Sequence, residues 1–215
     1  MKKRIILIVV LIVIAGLCIK LADFTKSSDN DQNLTGSIIT ENTSGVSKIG
    51  HAIISEKGTI NGKKGDSTGR EVEIREWYDE GWNLCLRPKS ISLAENSAKA
   101  CEECCANNNI GYGQADRNSA YESYKKSGKV SKIELSNVDD SSLMTLCAIA
   151  GGCTKLNYKG NAPTNSTMRK CFAATGEYEV ITDKAYLTTD RYLKRGDILV
   201  REGVHTVMIL SDGIR

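Results

Sequence analysis

The sequence predicts an α+β domain, with helices packed on an antiparallel sheet, carried behind an N-terminal apolar segment. Three observations lead there. Helical periodicity is concentrated between Ser92 and Ala174, and strand patterns gather after Tyr178. The chain also lacks the regular strand–helix alternation of a doubly wound sheet. Its 215 residues suffice for one good-sized domain and a tail. The net charge of +3 is matched by Lys2, Lys3 and Arg4 alone, so the remainder is balanced. That balance excludes the basic footprint of a nucleic-acid binder.

The N-terminus predicts an extracytoplasmic address. Lys2, Lys3 and Arg4 precede the apolar run Ile5 to Ile19, followed by Lys20, Leu21 and Ala22. Fifteen apolar residues are short for a span of roughly 20, but suit a signal h-region or a signal anchor with its basic end inside. Residues 1–22 are therefore expected to be an uncleaved single-pass anchor in the cell membrane, with a cleaved or lipidated form as the alternative. Bulky Leu17 before Cys18 departs from a lipobox, and no clean Ala-x-Ala site follows. Residues 23–48, rich in Ser, Thr, Asn, Asp and Gly, are expected to be a flexible spacer. The folded domain is expected over 49–215.

Within that domain, His51-Ala52-Ile53-Ile54 predicts a first strand, and Gly58 to Gly69 a loop of tight turns. Glu71 to Trp77 alternates charged and apolar residues, as a half-buried strand does. A helix is expected to start near Ser92, with Glu95 completing a capping box, and to run through Cys105. Further helices are expected over about Ala115 to Lys126, from Asp139 or Asp140 to Ala150, and from Ser166 to Ala174, the last closed by Gly176. Strands follow over Tyr178 to Ile181, Asp197 to Arg201 and His205 to Leu210.

Seven of the eight cysteines lie beyond the apolar segment, an odd number, so at least one stays free or pairs between chains. Cys101-Glu102-Glu103-Cys104-Cys105 resembles half a zinc site, but no second pair at ligand spacing follows. Cys101 and Cys105 share a helix face one turn apart, which makes burial as small apolar groups the default. Cys147 reads the same way.

The best candidate site joins the start of the third helix to His205. A helix N-terminus favours an anion, so a cysteine placed there is activated, and a histidine on a neighbouring strand serves as base. Arg195-Gly196-Asp197-Ile198-Leu199-Val200 and His205-Thr206-Val207-Met208-Ile209-Leu210 form a strand–turn–strand pattern that would present His205 on a sheet edge.

The stretch from Gly50 to about Ser211 resembles the small endolysin-type cell-wall hydrolases, relatives of the NlpC-type and CHAP amidases and endopeptidases. The matching segments are Gly50-His51-Ala52, Gly65 to Gly69, Trp77-Tyr78, Cys105 to Tyr112, Asp139 to Cys147, Tyr192 to Asp197 and His205-Thr206. The resemblance implies a papain-like fold, peptidoglycan stem peptides or cross-bridges as the substrate, and no cofactor; the cysteine spacing gives no metal site.

One departure dominates. The family carries its nucleophilic cysteine in Asp-Cys-Ser-Ser/Ala-Leu, whereas this chain has Asp139-Asp140-Ser141-Ser142-Leu143. A carboxylate is too poor a nucleophile toward an amide to replace a thiolate, but it is a good helix N-cap. Ser141 is a substitute candidate, although it points about 100° away around the helix. Few residues remain after Leu210 for the strand that orients the imidazole in many relatives, which leaves His51 or Asp66 for that role. Trp77, Tyr78 and the Gly65 and Gly69 loop are candidate substrate contacts; core packing and turn formation are their plainer explanations.

Two function classes follow. One is a catalytically impaired cell-wall hydrolase relative that binds peptidoglycan, or a protein partner, with the old cleft. The alternative is an active peptidoglycan hydrolase with His205 as base. In either class Asp140 and His205 are expected to face each other across one cleft.

Overall fold

The computed structural model describes residues 46–213, apart from 157 and 159. Its strands are β1 (Lys48–Ala52), β2 (Val72–Glu76), β3 (Leu84–Pro88), β4 (Ile110–Tyr112), β5 (Ser136–Val138), β6 (Tyr178–Ile181), β7 (Ile198–Arg201) and β8 (His205–Ile209). The α-helices among the described residues are α1 (Ile91–Cys105), α2 (Ser119–Ser127), α3 (Asp140–Ala150) and α4 (Met168–Ala174). Six strands form one antiparallel sheet in the order β2-β1-β8-β7-β3-β6, while β4 and β5 make a separate parallel pair. The α+β class with an antiparallel sheet is thus as the sequence predicts; the small parallel pair is an addition.

Alternation along the strands gives the sheet two buried faces. Ala52, Val72, Leu84, Leu86, Ile198, Val200 and Met208 belong to the larger core, which includes Leu143, Leu146 and Cys147 of α3. Ile49, Cys85, Leu199, Val207 and Ile209 face the other way, beneath Trp82, Leu187 and Leu193. His51 and His205 share the parity of Ile49 and Val207, so both ring systems belong to this second face.

Helices α1 and α3 pack on each other, and α3 packs on β8. Two glycines permit the close approach. A Cβ on Gly50 would strike Cys101 Sγ, and one on Gly151 would strike Ser97. Arg195 fastens α1 from outside, with Nε 2.8 Å from Glu95 and Nη2 2.9 Å from Glu102.

Several boundaries differ from the sequence reading. Ser90, not Ser92, caps α1, its hydroxyl accepting from Leu93 N, so the Ser92–Glu95 box does not form. Helix α2 starts at Ser119, because Asp116 first makes a turn with Ser119. A turn over Thr164 to Thr167 likewise delays α4 to Met168. Strand β3 escaped detection because Leu84, Cys85 and Leu86 are buried on both faces and so do not alternate. Strand β1 begins at Lys48, and buried Ser47 donates its N–H to Asp190 at 2.8 Å, so both belong to the folded unit and not the spacer. Lys2, Lys3, Arg4, the apolar run, Cys18 and the spacer before residue 46 lie outside the described residues. Among the described residues, no helix is long and apolar enough to cross a membrane.

Candidate functional site

The site is built around the start of α3. Asp139, with extended backbone, is the N-cap, and its carboxylate accepts from Ser142 N at 2.7 Å while Ser142 Oγ accepts from Asp139 N at 2.8 Å. This reciprocal box leaves Asp140 as the first helical residue and not the cap, so its side chain is free to turn elsewhere. Arg117 secures the arrangement. Its Nε donates to Asp139 Oδ2 at 2.5 Å, its Nη2 to Ser141 Oγ at 2.7 Å, and its Nη1 to the Ala162 carbonyl at 2.7 Å.

Asp140 turns toward β8. Its Oδ2 accepts from His205 Nδ1 at 2.9 Å, Asn165 Nδ2 at 2.9 Å and Thr206 N at 3.2 Å; its Oδ1 accepts from Ser141 N at 2.7 Å. The two residues expected to face each other are therefore in direct contact, and both are buried. His205 is the first residue of β8, which lies between β1 and β7, so it sits at an end of the sheet and not on an edge strand.

The other imidazole nitrogen is also engaged. His205 Nε2 lies 3.1 Å from the Tyr78 hydroxyl, which lies 3.3 Å from His51 Nδ1. His51 Nε2 in turn lies 3.4 Å from Glu73 Oε1, its directly paired neighbour on β2. Trp82 covers the group, its ring centroid 6.0 Å from that of His205 and its Nε1 donating to the Tyr78 carbonyl at 3.0 Å. Burial, with added repulsion from His205 and Arg75, pulls the His51 pKa down to about 3. Burial likewise pushes the Tyr78 phenol up to about 12.

A cleft of about 460 Å³ opens over Asp140 and His205. Ile53, Ile60 and Val204 form an exposed apolar rim, and Glu80, Gln114 and Asn165 add polar walls. With a thiol in place of the Asp140 carboxylate, this geometry would present a nucleophile at a helix N-terminus beside a histidine.

The remaining candidates separate. Ser141 Oγ contacts the cleft but is spent on Arg117 and on Asp139 Oδ1, at 3.2 Å, and does not meet His205. His51 approaches His205 only through Tyr78. Asp66 does not orient the imidazole. Its carboxylate gathers the N–H groups of Thr68, Gly69, Glu71 and Val72, and although burial opposes its charge, these bonds hold it below the usual carboxylate range. Gly65 and Gly69 belong to that same loop, both with positive φ, and neither lines the cleft. Trp77 is half-buried against the second core and also lies outside the cleft lining, and Tyr78, likewise absent from that lining, contacts the histidine. Cys101 and Cys147 are buried, as expected, and Cys105 is partly so. Among the described residues, no group of three or more His, Cys, Asp or Glu could hold a metal ion.

Sequence reasoning missed Arg117, Asn165 and Glu73. Nothing in the local pattern marks the first two. Glu73 was visible only as one charged residue of an alternating strand; its role follows from register with His51.

No curated protein and no solved structure matches the chain. The family model described as endolysin-like domain matches residues 49–215, more than half of the sequence, and so takes in β8, α3 and the whole cleft between them. The chain belongs to the endolysin-like domain family, a membership that points to peptidoglycan-hydrolase-related function.

Proposed function

We propose that this chain is a peptidoglycan-binding member of the endolysin-like family that has lost hydrolysis. The observation that carries the reading is the environment of Asp140. It stands at the helix start where a papain-like relative holds its thiolate, and its two oxygens accept four hydrogen bonds. A carboxylate so engaged is neither a free nucleophile nor a free base. Both nitrogens of His205 have partners, so the imidazole offers no lone pair to an attacking water. Ser141 is committed to Arg117. These three facts weigh against the alternative of an active hydrolase with His205 as base.

In this reading the fold is papain-like, and Tyr78 takes the imidazole-orienting position that other members fill from a later strand. Residues 1–22 anchor the chain in the membrane, the residues from 23 up to Ser47 form the spacer, and the cleft faces the wall outside. Retained cleft walls, with an apolar rim and polar floor, suit a peptide. Sedimentation with purified peptidoglycan tests the binding. The wild type should co-sediment, and Val204→Trp, which fills the rim from an exposed position, should reduce binding at least several-fold. Equal binding by both would move the contact away from the cleft. Protease added to intact, wall-stripped cells should remove the domain; digestion only after detergent lysis would contradict the placement.

A further inference from the structure

From Asp140 to Glu73, five side chains form one unbranched row: Asp140, His205, Tyr78, His51, Glu73. The row starts at the cleft and ends at the sheet surface, where the Glu73 side chain is 30% exposed. We infer that Glu73 and His51 act through Tyr78 as positioning residues that hold His205 as an imidazolium paired with Asp140. The inference does not depend on what the cleft binds.

The hydrogens along the row can be counted from one end. An ionised Glu73 only accepts, so the hydrogen between it and His51 must sit on His51 Nε2. His51 is fully buried and neutral, so its Nδ1 is then a lone pair. The Tyr78 hydroxyl must donate to that lone pair and can only accept on its other side. The hydrogen between Tyr78 and His205 therefore sits on His205 Nε2. At the far end, Asp140 Oδ2 already accepts from Thr206 N and Asn165, and Oδ1 from Ser141 N, so both oxygens serve as acceptors. The hydrogen toward Asp140 thus sits on His205 Nδ1. Both nitrogens carry hydrogen. A neutral His205 would leave one junction of the row with two acceptors facing each other.

The remaining charged groups near the row do not alter the count. Glu80, on the cleft wall, is paired with Arg201 at 3.2 Å. The Arg75 guanidinium lies 5.2 Å from the Tyr78 ring centroid and makes no hydrogen bond in the row. Trp82 contributes only its ring face to His205. With a thiol at position 140, the same row would poise a thiolate–imidazolium pair.

Glu73→Gln is the informative variant, because a glutamine amide is of the same size and can donate to His51 Nε2. The whole row can then reverse, with His51 carrying its hydrogen on Nδ1, Tyr78 donating to His205, and His205 neutral. Nitrogen-15 NMR of the two imidazoles in the full-length chain reads this directly. The wild type near neutral pH should show His51 with hydrogen on Nε2 only and His205 with hydrogen on both nitrogens. Glu73→Gln should move the His51 hydrogen to Nδ1 and remove the hydrogen from His205 Nε2, which then accepts from Tyr78. Tyr78→Phe, which cuts the row, should abolish the effect of Glu73→Gln on His205. Glu76→Gln, the next carboxylate on β2, should leave both rings unchanged. A neutral His205 in the wild type, unchanged rings in Glu73→Gln, an undiminished effect in the Tyr78→Phe background, or an equal shift from Glu76→Gln would each overturn the inference.

Discussion

The Tyr78 hydroxyl lies 3.1 Å from Nε2 of His205, on the opposite side of the ring from Asp140. An imidazole held at both nitrogens has a defined orientation. The local sequence accounts for this arrangement. The chain leaves β2 at Glu76 and reaches β3 at Leu84, and the short connection places Tyr78 and Trp82 over the second face of the sheet, where His51 and His205 already point.

Arg117 joins the cap of α3 to the loop carrying Asn165. Replacing it by Met leaves Asp139 nearly buried without its cation, and frees Ser141 and two loop carbonyls. Removing one partner of a buried pair costs about 3–5 kcal/mol. Urea unfolding of Arg117→Met should show a loss in that range. A loss below about 1 kcal/mol would mean that the ion pair contributes no more than an exposed one.

Asp66 organises the turn from Gly65 to Val72, and two of the N–H groups it accepts from, Glu71 and Val72, are buried. Asp66→Ala should cost about 2–3 kcal/mol by leaving those donors without partners. It should leave the His205 resonances in place, because Asp66 bonds none of the five side chains of the row. A displaced His205 spectrum would return Asp66 to the site.

The pH dependence has a definite sign. The folded-state pKa of His51 is about 3, below its unfolded value of 6.5, so protons bind the unfolded chain preferentially between the two. His51 therefore contributes stability that is present above pH 6.5 and is lost as pH falls toward 3, by up to about 1.4 kcal/mol per unit. Glu71, raised by burial, titrates in the opposite sense: its contribution is lost as pH rises through its folded value. Subtracting the stability profile of His51→Gln from that of the wild type isolates the His51 contribution. A flat difference between pH 7 and 5 would contradict its burial as a neutral group.

Much of the site was legible in the sequence because the family motifs mark the helix start and the histidine strand, and the α+β class follows from the order of the patterns. The second hydrogen-bond partner of His205 was not. Tyr78 sits in a connection with no periodicity, and its hydroxyl meets the imidazole only because β1 and β8 are neighbours in the sheet, a long-range pairing that local sequence does not encode. His51 and Asp66 were reasonable candidates by residue type. Register decides between them: His51 shares a sheet face with His205, while Asp66 faces its own loop. Strand β3 was hidden for a related reason, since burial on both faces removes the alternation by which strands are recognised. The exchange of roles between Asp139 and Asp140 turned on a single residue, and only the capping geometry with Ser142 distinguishes the two.

The central claim is that this cleft lacks only a nucleophile, and release of new amino groups from purified peptidoglycan tests it most directly. The wild-type chain should release none above background, since loss of a triad nucleophile costs on the order of a million-fold in turnover. Asp140→Cys should gain release, and the further change His205→Ala should abolish that gain. Release by the wild type that disappears in His205→Ala would contradict the account and return this chain to the active hydrolases.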